Sequence, residues 1–247
     1  MKTTADGIVI WEVKTGEADR IITVLTADGV ISAYAAGSRR PKNKLTSPTS
    51  MLSFSNFELN AGKNMFRVAD AMPAERFLSL SADVERYSLA VYFCELLKNL
   101  APIDEDASEF LSLMFNSLHL LDERKKNILL IKAVFELRIM SLSGYMPDLS
   151  GCAECGSPLS PGLFFDITNG IWYCDDCSRT SERNLNCSSA LLSAMRHIIF
   201  SEKQRLFSFE MSEKPLIQLG KLTSSYVVSH IERLPTTLDF LNKLLKR

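Results

Sequence analysis

The hydrophobic pattern of the chain changes period near Pro73. Before it, short apolar runs are broken by turn residues. "GIVIWEVK" (7–14) is one β-rich run, and "RIITVLTADGVISAYAAG" (20–37) holds two more on either side of Asp28-Gly29. An Asp-Gly pair between β-branched stretches predicts a hairpin, because glycine accepts the positive φ of a tight hairpin turn. In "MLSFSNFELNAGKNMFRVADA" (51–71), Leu52, Phe54, Phe57 and Leu59 lead into a turn at 60–64, and a last strand follows over 65–71. Five short strands in so short a segment predict a small closed barrel. Strand count alone admits an OB-type or an SH3-like barrel, and the OB type is the expected one.

After Pro73 the spacing becomes helical. Phe77, Leu80, Val84, Tyr87, Val91 and Cys94 predict one face of an amphipathic helix, and Phe110, Met114, Leu118 and Leu121 predict a second. "NILLIKAVFELRIMSL" (127–142) is apolar nearly all round, which predicts a buried central helix ending where Gly144 can cap and Pro147 forbids continuation. Ser188 or Ser189 caps a helix carrying Leu191, Leu192, Met195, Ile198 and Ile199. Leu216, Leu219, Tyr226, Val227 and His230 mark another, and "TLDFLNKLLKR" a short final one. The expected fold is α+β and multidomain: a five-stranded OB-type barrel over 1–76, a helical domain over 77–149 and 183–247, and a small module inserted at 150–182.

That module carries the most specific motif in the chain. Cys152-x-x-Cys155 and Cys174-x-x-Cys177, with eighteen residues between the pairs, can place four thiolates around one zinc ion. "CGSP" and "CDDC" fit tight turns that turn backbone N–H groups toward sulfur, and the aromatic residues around Asn169-Gly170 predict a hairpin over the metal. Disulfides would need an oxidising compartment, and a redox pair does not explain two matched knuckles. Four thiolates leave no open position for water, so the zinc is expected to be structural.

Composition narrows the remaining chemistry. With 46% hydrophobic and 23% charged residues, the chain reads as an ordinary globular protein. It shows no signal-peptide pattern and no apolar run long enough for a membrane helix, so a cytoplasmic location is expected. His119, His197 and His230 fall in helical patterns without a flanking nucleophile, and there is no phosphate-binding glycine loop or Gly-x-Ser-x-Gly elbow. Asp104, Glu105 and Asp106 suit a helix N-terminus, while Cys94 and Cys187 read as buried thiols. No enzyme activity is expected.

A formal net charge of −1 means that any affinity for a polyanion must be local. Arg39, Arg40, Lys42 and Lys44 lie within six positions, and no acidic residue occurs from Gly29 to Phe57. Gly37 frees the entry of this loop and Pro41 stiffens it, which suits a presented arm contacting a nucleic-acid backbone. Tyr34, Phe54, Phe57 and Phe66 offer stacking faces or barrel core, and Arg179 and Arg183 either extend the basic track or sit solvated on the surface.

Gly16-Glu17-x-Asp19, the loop Gly37-x-Arg39-Arg40-x-Lys42, and Gly144-Tyr145-x-Pro147 leading into the first knuckle resemble the bacterial RecO family of DNA repair proteins over essentially the whole chain. Asn43 stands where many members carry serine, and all four zinc cysteines are present. The resemblance implies an N-terminal OB-fold, a helical domain with a zinc module, and a recombination mediator that binds single- and double-stranded DNA and anneals complementary strands. It implies work with RecR, and sometimes RecF, in loading RecA on strands coated by single-stranded DNA-binding protein (SSB). The SSB tail is acidic and ends in an aromatic residue, so a basic-rimmed pocket on the helical domain is implied. The alternative from another class is a zinc-containing OB-fold adaptor in RNA metabolism or transcription; a zinc-dependent nuclease is disfavoured by the four-cysteine ligand set.

Overall fold

The run Ile8-Val9-Ile10-Trp11 has no polar alternate position, and a strand of that kind must be covered on both faces. In the computed structural model, which describes residues 2–245, it lies in β1 (Lys2–Thr15). β2 (Asp19–Thr26), β3 (Gly29–Ala35), β4 (Ser53–Asn60) and β5 (Phe66–Arg76) follow, hydrogen-bonded in the order β1-β2-β3-β5-β4. β1 pairs with β4 as well as with β2, so the sheet closes on itself. The β3–β5 pairing is parallel and the others of the ring are antiparallel. Val9, Ile22, Val24, Ala33, Phe57, Leu59 and Val68 share the buried interior. Ile8, Ile10 and Leu25 are equally buried but lie outside that cluster. Two helices, α1 (Val84–Leu100) and α2 (Ser108–Glu123), pack on β1 and supply the second cover.

Two expectations are corrected in this region. Pro73 does not end the last strand: β5 continues to Arg76, and Pro73 stands opposite Ser55 beside a bulge in β5, where Ala74 is the extra residue between the Ser55–Pro73 and Phe54–Glu75 pairs, a position in a strand that tolerates proline. Phe77 and Leu80 are buried but precede the helix, Leu80 within a 3-10 turn over Leu78–Ala82. Asp83 accepts the Arg86 N–H at 3.2 Å and starts α1 one residue later. The buried face of α1 is consequently built on Leu89, Phe93, Leu96 and Leu97, while Val84 and Tyr87 are exposed. The second predicted stripe, Phe110, Met114, Leu118 and Leu121, is buried as expected.

Two compact units divide the described residues: those up to Lys125 together with those from Pro235 on, and Lys126–Leu234. The buried carboxylate of Glu95 on α1 ties the C-terminal segment to the first unit. It accepts from Thr236 Oγ1 at 2.5 Å, the Thr237 N–H at 3.0 Å and Thr237 Oγ1 at 2.7 Å.

The second unit is centred on α3 (Ile128–Leu142), the predicted all-round apolar helix. Its end is a Schellman cap: Gly144 takes φ +88°, Tyr145 N–H donates to Met140 O at 2.9 Å, and Gly144 N–H to Ser141 O at 3.4 Å. β6 (Gly162–Asp166) and β7 (Ile171–Cys174) form the predicted hairpin, followed by a short helix α4 (Asp175–Thr180). A two-residue strand, β8 (Cys187–Ser188), pairs with the other edge of β6 and extends the hairpin to three strands. Asn186 prolongs that pairing through its side chain, donating to Phe165 O and accepting from the Phe165 N–H. α5 (Ser189–Phe200), capped by Ser188, and α6 (Glu213–His230) pack on α3, and α7 (Leu238–Leu244) closes the chain in the first unit. Between α3 and α6, the buried Lys132 Nζ meets Glu136 Oε1 at 2.6 Å, and Thr223 Oγ1 donates to Glu136 Oε2 at 2.7 Å. No helix among the described residues is long and apolar enough to cross a membrane.

Candidate metal centre and candidate nucleic-acid interface

The four knuckle cysteines converge. The Sγ atoms of Cys152, Cys155, Cys174 and Cys177 all lie within 4.8 Å of one another, and Cys155 Sγ is 3.7 Å from Cys174 Sγ. A tetrahedral site with 2.3 Å zinc–sulfur bonds has an S–S edge of about 3.8 Å, so this set could hold a metal ion. Cys152 N–H donates to Ser157 O and Gly156 N–H to Cys152 O, both at 2.8 Å, which folds the first knuckle into a tight turn. The second knuckle differs from the expected turn: Cys174 is the N-cap of α4 and Cys177 lies in its opening turn. Burial opposes ionisation of Cys152, but N–H groups of Cys155, Cys174 and Glu154 aimed at its sulfur outweigh burial and bring the thiol down to about 6. The Cys174 N–H is 3.2 Å from that sulfur. Its hydrogen bond to the Cys174 sulfur, followed by burial, raises Cys177 well above the ordinary thiol range. In Cys155 the Ser157 N–H lowers the pKa, and hydrogen bonds to Cys152 and Cys174 more than offset it. Crowded thiols with inward-facing N–H groups favour ionisation at one sulfur first, and a cation would favour it at all of them.

The module is fixed to its unit by packing and by one arginine. Leu149, Leu163 and Trp172 are fully buried, and the Phe165 ring lies 6.0 Å from that of Tyr226 on α6. Gly170, at the hairpin tip, has φ +66°, and a Cβ there would lie 2.7 Å from the Tyr226 hydroxyl. Arg196 on α5 donates Nε to Leu149 O at 2.8 Å and Nη2 to Ser150 O at 3.1 Å, holding the entry to the first knuckle.

The basic loop is a folded structure, which corrects the expectation of a presented arm. Residues 36–52 run through successive turns, with N–H donations from Arg40 to Gly37 O (2.9 Å), Asn43 to Arg40 O (3.2 Å) and Thr46 to Asn43 O (3.0 Å). Asn43 Oδ1 also accepts the Leu45 N–H at 2.8 Å. Leu45, beside Lys44, is buried in the barrel interior, and that apolar anchor draws the loop onto the strands. Arg39, Arg40, Lys42 and Lys44 remain exposed. Lys44 pairs with Asp70 at 2.8 Å, whereas Arg39, Arg40 and Lys42 make no ion pair among the described residues.

Residues from the β1–β2 hairpin hold this loop, and sequence reasoning missed most of them. Arg20, on β2, donates Nη1 to Ser38 O at 3.2 Å, Thr46 O at 3.1 Å and Thr49 Oγ1 at 3.3 Å. Its Nε faces Glu12 Oε2 at 3.4 Å, and the same oxygen accepts the Met51 N–H at 3.3 Å. Asp19 accepts the Gly37 N–H at 2.6 Å through Oδ1 and the Tyr34 hydroxyl through Oδ2. The Gly37 N–H first, then the Tyr34 hydroxyl, hold its carboxyl below the usual range, with weaker help from Arg40 and Arg39. Glu12, Asp19 and Arg20 are three of several charged residues in this hairpin, so the sequence did not single them out as loop-holding groups.

The remaining candidates are engaged in packing. Phe57 lies in the barrel interior and Phe66 packs against it, while Phe54 meets Phe115 at 5.1 Å. Tyr34 is half-buried, with the Arg67 guanidinium 5.4 Å from its ring centre. Arg179 pairs with Asp175, and Arg183 covers the Tyr173 ring at 3.7 Å with Glu154 at 3.6 Å. His119 sits between Glu75 (3.0 Å) and the Phe115 ring, His197 bonds Arg205 O at 2.9 Å, and His230 bonds Tyr226 O at 2.9 Å. Asp106 accepts the Ser108 N–H at the start of α2. Cys94 and Cys187 are buried, and burial raises both thiols, Cys187 to about 12.

Comparison with known proteins covers nearly all of the chain. Residues 1–77 match the family model described as recombination protein O N terminal, and residues 81–239 match recombination protein O C terminal. The chain is 38% identical over 239 residues to the DNA repair protein RecO of Acetivibrio thermocellus, covering 96% of this chain and 95% of that one. It is 29% identical over 243 residues to the DNA repair protein RecO of Symbiobacterium thermophilum, covering 97% and 96%. With the DNA repair protein RecO of Desulforudis audaxviator it shares 29% over 241 residues, covering 97% and 96%.

Proposed function

Since the chain belongs to the recombination protein O family, we propose that it is a DNA repair and recombination mediator that binds single- and double-stranded DNA and anneals complementary strands. With RecR, and in some settings RecF, it helps to load RecA onto SSB-coated single strands in the bacterial cytoplasm. The barrel is of the OB type, a reading supported by the strand order β1-β2-β3-β5-β4 closed on β1 and by the parallel β3–β5 pair. Cys152, Cys155, Cys174 and Cys177 hold one structural zinc ion, a reading supported by the convergence of their sulfurs. The zinc fixes the fold of the module, and its closed thiolate sphere offers no site for a reacting water.

The observation that carries the DNA-binding reading is an exposed loop whose Arg39, Arg40 and Lys42 have no ion partner among the described residues, on a barrel that holds the loop's shape. These cations meet backbone phosphates, with Lys44 joining when it leaves Asp70. Contacts of this kind position a strand without reading its sequence. Neutralising two strands at one loop lowers their mutual repulsion, and annealing then needs no chemical step. Replacing all four cations by glutamine is expected to weaken single-strand binding several-fold or more and to slow annealing of SSB-coated strands. For three to four phosphate contacts, the slope of log K against log salt is about −2 to −3 in the intact protein and shallower in the variant. Unchanged binding at low salt would exclude the loop as a main contact.

A further inference from the structure

A phosphate-reading loop depends on its shape as well as its charge, because every residue left to order on binding lowers affinity. The structure shows what sets that shape. One guanidinium, Arg20, reaches the beginning of the loop at Ser38 O, its far side at Thr46 O and its exit at Thr49 Oγ1. Glu12 orients this guanidinium from Nε and fixes the end of the loop through the Met51 N–H. Asp19 fixes the entry through the Gly37 N–H, and Ala18 O accepts the Arg39 N–H at 2.8 Å. The segment from Arg39 to Lys44 is therefore clamped on both sides. The Arg20 side chain is only 13% exposed, so it has little surface to offer a ligand.

We propose that Arg20, oriented by Glu12, is a positioning residue for nucleic-acid binding: it presents Arg39, Arg40 and Lys42 in one preorganised arrangement to a phosphodiester backbone while contacting no phosphate itself. A guanidinium suits this task, since it stays charged and its Nη1 alone faces two carbonyls and a hydroxyl of the loop while Nε lies beside the Glu12 carboxylate. Its charge is matched locally by Glu12, so the charge presented to a ligand comes from the loop cations. This inference rests on the DNA-binding reading of the loop, and its test separates the two.

The experiment follows binding of a fluorescent oligothymidine to the full chain as a function of salt, at a temperature where circular dichroism shows each variant folded. Arg20→Gln is expected to raise Kd about three- to tenfold, the ordering cost of a few loop side chains, with the salt slope unchanged. Trypsin should then cut faster within 39–44. Replacing Arg39 alone should instead make the slope shallower by about 0.7, the loss of one single-strand phosphate contact. Glu12→Gln retains the shape of the acid and should give a smaller loss at the same slope, and it decides the question if Arg20→Gln does not fold. Unchanged Kd in folded Arg20→Gln overturns the inference, and so does a slope change equal to that of a loop cation, which would make Arg20 a phosphate contact. If the variant lacking all four loop cations binds like the parent protein, the underlying reading fails instead.

Discussion

The cysteine knuckles and the basic loop are both irregular segments held from beneath by an arginine that donates to their carbonyls. Arg196 serves Leu149 and Ser150, and Arg20 serves Ser38 and Thr46. They differ in where their functional groups point. Four sulfurs of the knuckles face one another within 4.8 Å, whereas the loop cations face outward and Leu45 points inward to the barrel. A convergent site carries its meaning in its own spacing. A divergent one acquires meaning only from what holds it and from what it meets.

The largest effect should come from breaking the convergent site. Cys174→Ser, or strong chelation, is expected to abolish stoichiometric zinc and release amide protection across 150–188. Metal binding in modules this small supplies about 10 kcal/mol or more of apparent folding free energy. Barrel amides in β2 and β3, which belong to the other compact unit, should exchange as before. Knuckle amides that stay protected in metal-depleted protein would show that packing around Trp172 and Leu163 suffices without an ion.

The converse experiment removes the anchor of the loop. Leu45→Ala empties a position in the barrel interior and is expected to cost about 2–5 kcal/mol, the usual range for a buried leucine. The loss should fall on the barrel unit, seen as a lower denaturant midpoint there, with zinc content unaltered. A cost under about 1 kcal/mol would mean that the loop rests on the barrel without plugging it.

What the sequence disclosed follows the same division. The cysteine cluster was legible because its members are paired in sequence, and the barrel because period-two runs and turn residues are local signals. The covered outer face was also written in Ile8-Val9-Ile10-Trp11, though not which helices cover it. The misplaced stripe on α1 came from reading Phe77 and Leu80 as helical, when the Asp83 cap restarts the period. Pro73 sits in a strand beside the bulge that Ala74 makes in β5, a position that tolerates proline. The Arg20 contacts span 18 to 29 residues and the Lys44–Asp70 pair links a loop to a later strand, so no local pattern could announce them. An acid-free sequence window is not an acid-free neighbourhood: Asp19 and Asp70 both approach the loop in space.

The smallest effect concerns Asp19, and it tests whether the loop is held by hydrogen bonds or only by its anchor. Because the Gly37 N–H and the Tyr34 hydroxyl lower the folded-state pKa of Asp19, its contribution to stability is present above the unfolded carboxylate value of about 3.9 and is lost as pH falls through the lower folded value. From pH 8 to pH 5 the group is ionised in both states, so the Gly37 amide resonance should not move with an Asp19 titration in that interval. Below about pH 4 it should shift as the carboxylate takes a proton and weakens as an acceptor, and Asp19→Asn should remove the transition. A midpoint at or above the unfolded value would mean that the 2.6 Å contact to Gly37 does not favour the ionised form, leaving Leu45 and Arg20 to hold the loop without it.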